Sequence, residues 1–165
     1  MVSIWLIPAP EDAQYLQAII NTLAATYQAP VFNTHCTLYR PTDLPAAEVK
    51  QILERSAKNM KSFYVKKAMI SHTENIWKTI FIELLSSPEL EQLRQAVISQ
   101  LPNGQPYEFL PHISLLYKEM PDKKKEYIIR NLQVKNSFKM DKIAAMRTGP
   151  NVDNWATVVE IPFHA

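Results

Sequence analysis

The sequence predicts an α+β fold, a sheet with helices on its outside, built from two similar halves. Short β-rich apolar runs alternate with segments of helical spacing. At least one adjacent pair of runs reads as a hairpin. The order helix, histidine-bearing strand, helix, strand then recurs in each half of the chain, which implies a duplicated, two-lobed architecture.

Val2 to Ile7 is short, apolar and β-rich and closes at Pro8 and Pro10, so it reads as a strand. From Glu11 to Gln28, the residues Tyr15, Leu16, Ile19, Ile20, Leu23 and Tyr27 fall at helical spacing. Thr34 to Tyr39 reads as a second strand, ended by Arg40-Pro41. The stretch from Asp43 to Met60 opens with an Asp and a Pro and continues as an amphipathic helix. Ser62 to Ser71 and Ile76 to Leu85 read as a strand pair, a hairpin across the tetrapeptide starting at His72. Ser87-Pro88-Glu89 is a helix start, and Leu90, Leu93, Val97 and Leu101 carry the apolar stripe to Pro102. A loop from Pro102 to Pro111 precedes the strand His112 to Tyr117, and Asp122 to Arg130 forms a short charged helix. Val134 to Met146 and Trp155 to Phe163 read as the closing strands.

Composition narrows the function. With 165 residues, 47% hydrophobic, the chain suffices for a single domain over residues 1–165 with a sizeable core. A net charge of +2 gives no electrostatic footprint for duplex nucleic acid, while small anionic ligands fit it. Two glycines in the whole chain exclude a phosphate-cradling glycine-rich loop of the P-loop or Rossmann kind. The single Cys36 excludes an internal disulfide and fits a reducing compartment. The opening MVSIWLIPAPED has no charged leader and its apolar run stops at Pro8, too short for a signal or a span. The expectation is a cytoplasmic monomer that binds no membrane.

The chemistry sits in a repeated motif, His35-Cys36-Thr37-Leu38 and, 77 positions on, His112-Ile113-Ser114-Leu115. Side chains at i and i+2 of a strand share a face. His35, Thr37 and Tyr39 then point one way, with Cys36 and Leu38 opposite; His112 and Ser114 point one way, with Ile113 and Leu115 opposite. Each motif offers one imidazole and one hydroxyl together. Near pH ~6.5 an imidazole titrates, so a pair can serve as one base and one acid, while the hydroxyls hold an anion between them. That set suits phosphodiester hydrolysis without metal or cofactor. The two motifs give no internal basis for separating acid from base; the working assignment is His112 as base and His35 as acid. One histidine in a strand is more often structural, but two copies at the same offsets reverse that preference. No spacing typical of a metal site is present, and Cys36 faces the core rather than a substrate. His72 and His164 read as solvated, as does the run Lys123-Lys124-Lys125.

Four further residues read two ways. Trp5 alternates away from Ile4 and Leu6 and offers a face for base stacking or for ordinary packing. Tyr117 falls opposite His112 by strict alternation, so a bulge or a strand end is needed to bring it to the site. Lys78 shares a strand face with Ile76, Ile80, Ile82 and Leu84, and either reaches a phosphate or snorkels outward. Arg147 can steer an anion but reads better as a surface arginine.

Two His-x-Thr/Ser-Leu motifs, flanked by PYEFLPHISLLYKEMPDKKK, VSIWLIP and NWATVVEIP, resemble the 2H phosphoesterase superfamily and its cyclic phosphodiesterase branch. The resemblance spans most of the chain. It implies two antiparallel sheets framing a central cleft with helices outside. It also implies hydrolysis of 2′,3′-cyclic nucleotides to 2′-phosphates, and of ADP-ribose 1″,2″-cyclic phosphate. Catalytic roles fall on His35 and His112, phosphate binding on Thr37 and Ser114, and cleft-lining aromatic positions on Trp5 and Tyr117. The extra cysteines of plant members are missing, so redox control is not carried over. Two other readings remain open: an RNA-end 2′,3′-cyclic phosphodiesterase or 2′-5′ RNA ligase-like enzyme, and a non-catalytic nucleotide- or RNA-binding module.

Overall fold

The computed structural model describes residues 1–105 and 107–165, so Pro106 of the expected Pro102–Pro111 loop lies outside the described residues. Among them are seven strands and four α-helices: β1 (Val2–Pro8), α1 (Pro10–Tyr27), β2 (Cys36–Thr42), α2 (Ala46–Ala57), β3 (Phe63–His72), β4 (Ile80–Leu84), α3 (Pro88–Ile98), β5 (His112–Leu116), α4 (Asp122–Asn131), β6 (Ser137–Arg147) and β7 (Ala156–Pro162). The order of the elements is the one expected from the sequence.

Local signals explain the boundaries. On α1, Leu16, Ile20 and Leu23 are buried at helical spacing, and the helix stops where Gln28 takes a left-handed φ of 55° and donates its N–H to the Ala24 carbonyl. Ser87 caps α3, its Oγ accepting from the Leu90 N–H at 3.2 Å. The expected strand from Ile76 is shorter. Ile76–Lys78 instead form a 3₁₀ turn, because side chains outcompete the ladder for its backbone. Asn75 Oδ1 accepts from the Trp77 N–H at 3.0 Å, Thr73 donates to the Lys78 carbonyl at 2.6 Å, and Thr79 donates to that of Ile76 at 3.0 Å.

All pairings between the strands are antiparallel, in the order β1-β2-β5-β4-β3-β6-β7, and β1 also pairs with β6. Six strands thus close into a barrel, and β7 is an added seventh. This corrects the expectation of two separate sheets. The cause is the length of β6: its first residues pair with β3 (Phe63↔Met140 to Lys66↔Ser137), its later ones with β7 (Arg147↔Ala156 to Lys142↔Pro162), and its other edge with β1. One long strand therefore joins what would otherwise be two sheets. The opposite seam is thin, a single pair, Cys36↔Ile113, between β2 and β5. The helices pack outside, α1 against β1 and β5, α2 against β6, β7 and α3, and α4 against β3. One large apolar core, including Leu6, Leu16, Leu38, Leu53, Ile82, Leu93, Ile113 and Phe138, fills the space between them.

A second correction concerns Lys125, expected on a solvated helix face. It is 1% exposed. Its Nζ donates to the Thr73 carbonyl at 3.0 Å and lies 3.0 Å from Asp122 and 3.5 Å from Glu74. The long aliphatic stem crosses apolar surface while the ammonium ties α4 to the β3–β4 loop.

Candidate active site

The thin seam is where the two motifs meet. With Cys36 paired to Ile113, the antiparallel sense carries His35 toward Ser114 and Thr37 toward His112, so each imidazole lies near the other motif's hydroxyl. Cys36 and Ile113 point into the core, both fully buried, and burial pushes the Cys36 thiol up to about 12. A thiol so held is no nucleophile.

Both histidines are clamped in the same way. Nδ1 of His35 lies 2.7 Å from the carbonyl of Asn33, and Nδ1 of His112 lies 2.8 Å from that of Leu110. A carbonyl only accepts, so each Nδ1 carries the proton and each Nε2 is left for the cleft. The clamp spans two residues upstream in both cases, a duplication of geometry as well as of sequence. His35 also stacks on Trp5, with ring centroids 3.5 Å apart and planes 7° from parallel.

The two rings differ in environment. His35 is 7% exposed, and burial chiefly, aided by repulsion from His112, brings it down to about 4 against the Asn33 hydrogen bond. His112 is half-buried; burial and, less strongly, Lys78 lower it from its ordinary value, opposed by the Leu110 hydrogen bond. A histidine buried in its neutral form binds its proton more readily in the unfolded chain. Its contribution is therefore complete above the unfolded value near ~6.5 and is lost as pH falls through the window down to about 4. The loss amounts to about 3 kcal/mol. Denaturant titrations from pH 7 to 4 should show it, and His35→Gln should flatten that slope relative to the wild type. Equal slopes would contradict a neutral, buried His35.

The cleft in front of the histidines has a volume of about 780 Å³ and is lined by Thr37, Ser114, Arg40, Lys78, Trp77 and Tyr117 among others. Among the described residues its lining contains two cationic side chains and no carboxylate. Two hairpin tips each bring a tryptophan to its lining. The β3–β4 tip ends in the turn that carries Trp77. The β6–β7 tip repeats the device, with Asn151 Oδ1 accepting from the Asp153 N–H at 3.0 Å ahead of a 3₁₀ turn, Val152–Asn154, that delivers Trp155. The two indoles sit 5.9 Å apart. Ser114 Oγ donates to the Trp77 carbonyl at 2.9 Å, tying one motif hydroxyl to one tip. Among the described residues no hydrogen bond engages the Thr37 hydroxyl, and no group of three or more His, Cys, Asp or Glu is placed to hold a metal ion.

The structure brings His35, His112, Thr37, Ser114, Lys78 and Tyr117 to one cleft. Tyr117 reaches it because β5 ends at Leu116 and its pairing with β4 slips between Ile80 and Phe81. Burial raises its phenol, which stays protonated. Lys78 arrives from the 3₁₀ turn rather than from a strand face, its Nζ 4.6 Å from the centroid of Phe81. Trp5 also lines the cleft, as the resemblance implied, but it is 2% exposed, with His35 stacked on one side and Trp155 edge-on at 5.6 Å, so it supports the His35 ring and leaves no open face for a base. Arg147 is exposed and does not line the cleft. His72 lies half-buried, 3.7 Å from Asp122 and 3.9 Å from Glu126, and His164 is exposed. Sequence reasoning missed Trp77, Trp155, Tyr107 and Arg40. The matched asparagines ahead of Trp77 and Trp155 were the available signal, since Asx turns mark exposed tips.

Known proteins resemble the chain over most of its length. The model of the family described as the 2′-5′ RNA ligase superfamily matches residues 8–151. A cyclic phosphodiesterase of Arabidopsis thaliana is 22% identical over 165 residues, covering 94% of this chain and 91% of the relative. E. coli LigT complexed with 3′-AMP is 15% identical with a TM-score of 0.65, covering 99% of this chain and 98% of that one. The same protein in apo form gives a TM-score of 0.67 at 14% identity, covering 99% and 97%. These structural likenesses show a shared fold.

Proposed function

Because the chain belongs to the 2′-5′ RNA ligase superfamily, the 2H phosphoesterases, we propose that it hydrolyses 2′,3′-cyclic nucleotides to nucleoside 2′-phosphates, without a metal ion, by two-histidine acid–base catalysis. One observation carries the reading. Two imidazoles, each with Nδ1–H fixed on a backbone carbonyl, present Nε2 to a cleft that has cations and, among the described residues, no carboxylate.

The deeper burial of His35 keeps it neutral over most of the pH range, which suits a base. His112, less buried and facing Lys78, is the acid once the substrate's anionic phosphate raises its affinity for a proton. This reverses the working assignment. Water attacks phosphorus and gives its proton to Nε2 of His35; the bond from phosphorus to O3′ breaks, and Nε2–H of His112 protonates the leaving oxygen. Thr37 and Ser114 donate to the non-bridging oxygens, and Lys78 offsets their charge. Ser114 must first turn its hydroxyl from the Trp77 carbonyl. The base stacks on Trp77, which is 39% exposed.

ADP-ribose 1″,2″-cyclic phosphate fits the same chemistry. An RNA 3′ end is the second reading, favoured by a further cavity of about 600 Å³ that shares Trp77, Tyr117 and Pro150 with the cleft and adds Lys118, with Glu119 beside it. Incubation with 2′,3′-cyclic AMP, ADP-ribose cyclic phosphate and a cyclic-phosphate oligonucleotide, each with excess EDTA, tests the reading. Turnover is expected, to a 2′-phosphate from the two 2′,3′-cyclic substrates and to a ring-opened monophosphate from the ADP-ribose one, at a rate that EDTA leaves within about twofold. No turnover of any of the three, or activity abolished by EDTA and restored by zinc or magnesium, contradicts it.

A further inference from the structure

Arg40 has no task in the two-histidine chemistry, yet the fold takes trouble to aim it. By strict alternation from Thr37 it would point away from the cleft. Strand β2 carries an extra residue between its pairs Trp5↔Thr37 and Ile4↔Tyr39. That bulge at Leu38 turns Tyr39 into the core and Arg40 into the cleft. The guanidinium lies 5.2 Å from the centroid of Tyr107, whose hydroxyl accepts from the Arg40 backbone N–H at 3.1 Å. On the same ring sits the buried Arg94, 5.1 Å from the centroid and donating to the Tyr107 carbonyl at 3.0 Å. The seat under Arg40 is thus fixed before any ligand arrives.

Among the described residues no carboxylate lies within ion-pair distance of Arg40. Lys78 lies close enough to His112 for its charge to lower that histidine. Arg40 stands on β2 beyond the bulge, outside both His-x-Thr/Ser-Leu motifs. A planar, seated guanidinium placed there suits a phosphate other than the one under attack.

We infer that Arg40, seated on Tyr107, binds a second phosphate of the substrate, and that the preferred substrate is a nucleoside cyclic phosphate that also carries a 5′-phosphate. The inference rests on the cyclic phosphodiesterase reading and narrows it. The second phosphate can be a terminal phosphate, part of a pyrophosphate, or the diester of an oligonucleotide.

Calorimetric titration with adenosine 2′,5′-bisphosphate and with adenosine 2′-phosphate reads the subsite without turnover. The bisphosphate should bind roughly 10- to 100-fold tighter, the scale of one charge-assisted contact. Arg40→Gln should bring that ratio near one, and Arg40→Lys should recover part of it. Equal binding of the two ligands by the wild type, binding of neither, or an unchanged ratio in Arg40→Gln overturns the inference. In a kinetic arm, kcat/KM is compared for 2′,3′-cyclic AMP, its 5′-phosphorylated form and a cyclic-phosphate dinucleotide. A preference for the 5′-phosphorylated mononucleotide assigns the contact to a terminal phosphate, and a preference for the dinucleotide assigns it to the diester. Turnover of 2′,3′-cyclic AMP with no preference for either overturns the inference alone. A protein that binds the bisphosphate preferentially but turns over none of the three overturns the cyclic phosphodiesterase reading and leaves the Arg40 site in place.

Discussion

Replacing either His35 or His112 with alanine should lower kcat on 2′,3′-cyclic AMP by roughly 10²–10⁴-fold, the range for loss of a general acid or base. The two losses should be similar, because each imidazole moves one of the two protons of a single displacement. His112 is the cleaner test. It is half-buried, whereas His35 lies between Trp5 and the core, so the His35 variant needs its folding checked by circular dichroism. Thr37→Ala should cost less, since one of several phosphate contacts disappears. Full activity in His112→Ala would remove the paired-histidine mechanism.

Trp5→Ala should destabilise the fold by about 3–5 kcal/mol, as expected for deleting a fully buried indole. Trp5 packs on Ala144 and Met146 of β6 and on Trp155, and it carries the His35 ring on its face. The void would therefore open beneath the base itself. Trp5→Phe keeps an aromatic face and should lose less on both counts. Urea denaturation reads the effect. A loss below about 1 kcal/mol, well under the range for such a deletion, would show that His35 does not depend on this support.

The element order and the motif residues were legible because both depend on local spacing. Leu16, Ile20 and Leu23 announce a helix, and His-x-Thr and His-x-Ser place two groups on one strand face, wherever the strand lies in the fold. What was not legible depends on pairing between distant segments. Nothing local in β6 says that its two halves pair with different strands, and that choice turns two expected sheets into one barrel. Arg40 and Tyr39 exchange faces through a bulge set by the register of β1 on β2, which the sequence of β2 alone does not encode. Trp5 followed the alternation, yet its open face is taken by His35, from a segment thirty residues away. Lys125 reads as solvated until the β3–β4 loop supplies the Thr73 carbonyl.

The central claim, one neutral and one protonated histidine acting together, is tested most directly by the pH dependence of kcat/KM on 2′,3′-cyclic AMP. In the free protein His35 must be neutral, so the acid limb should fall near its value of about 4. His112 must carry its proton, so the basic limb should fall below the ordinary 6.5. The limbs report the ionisations of the pair together. The expected result is a bell with its maximum on the acid side of neutrality, and a kcat profile displaced to higher pH because bound phosphate favours both charged forms. A kcat/KM that stays flat from about pH 5 to 9, the span around the reference imidazole value, would contradict acid–base catalysis by these two residues.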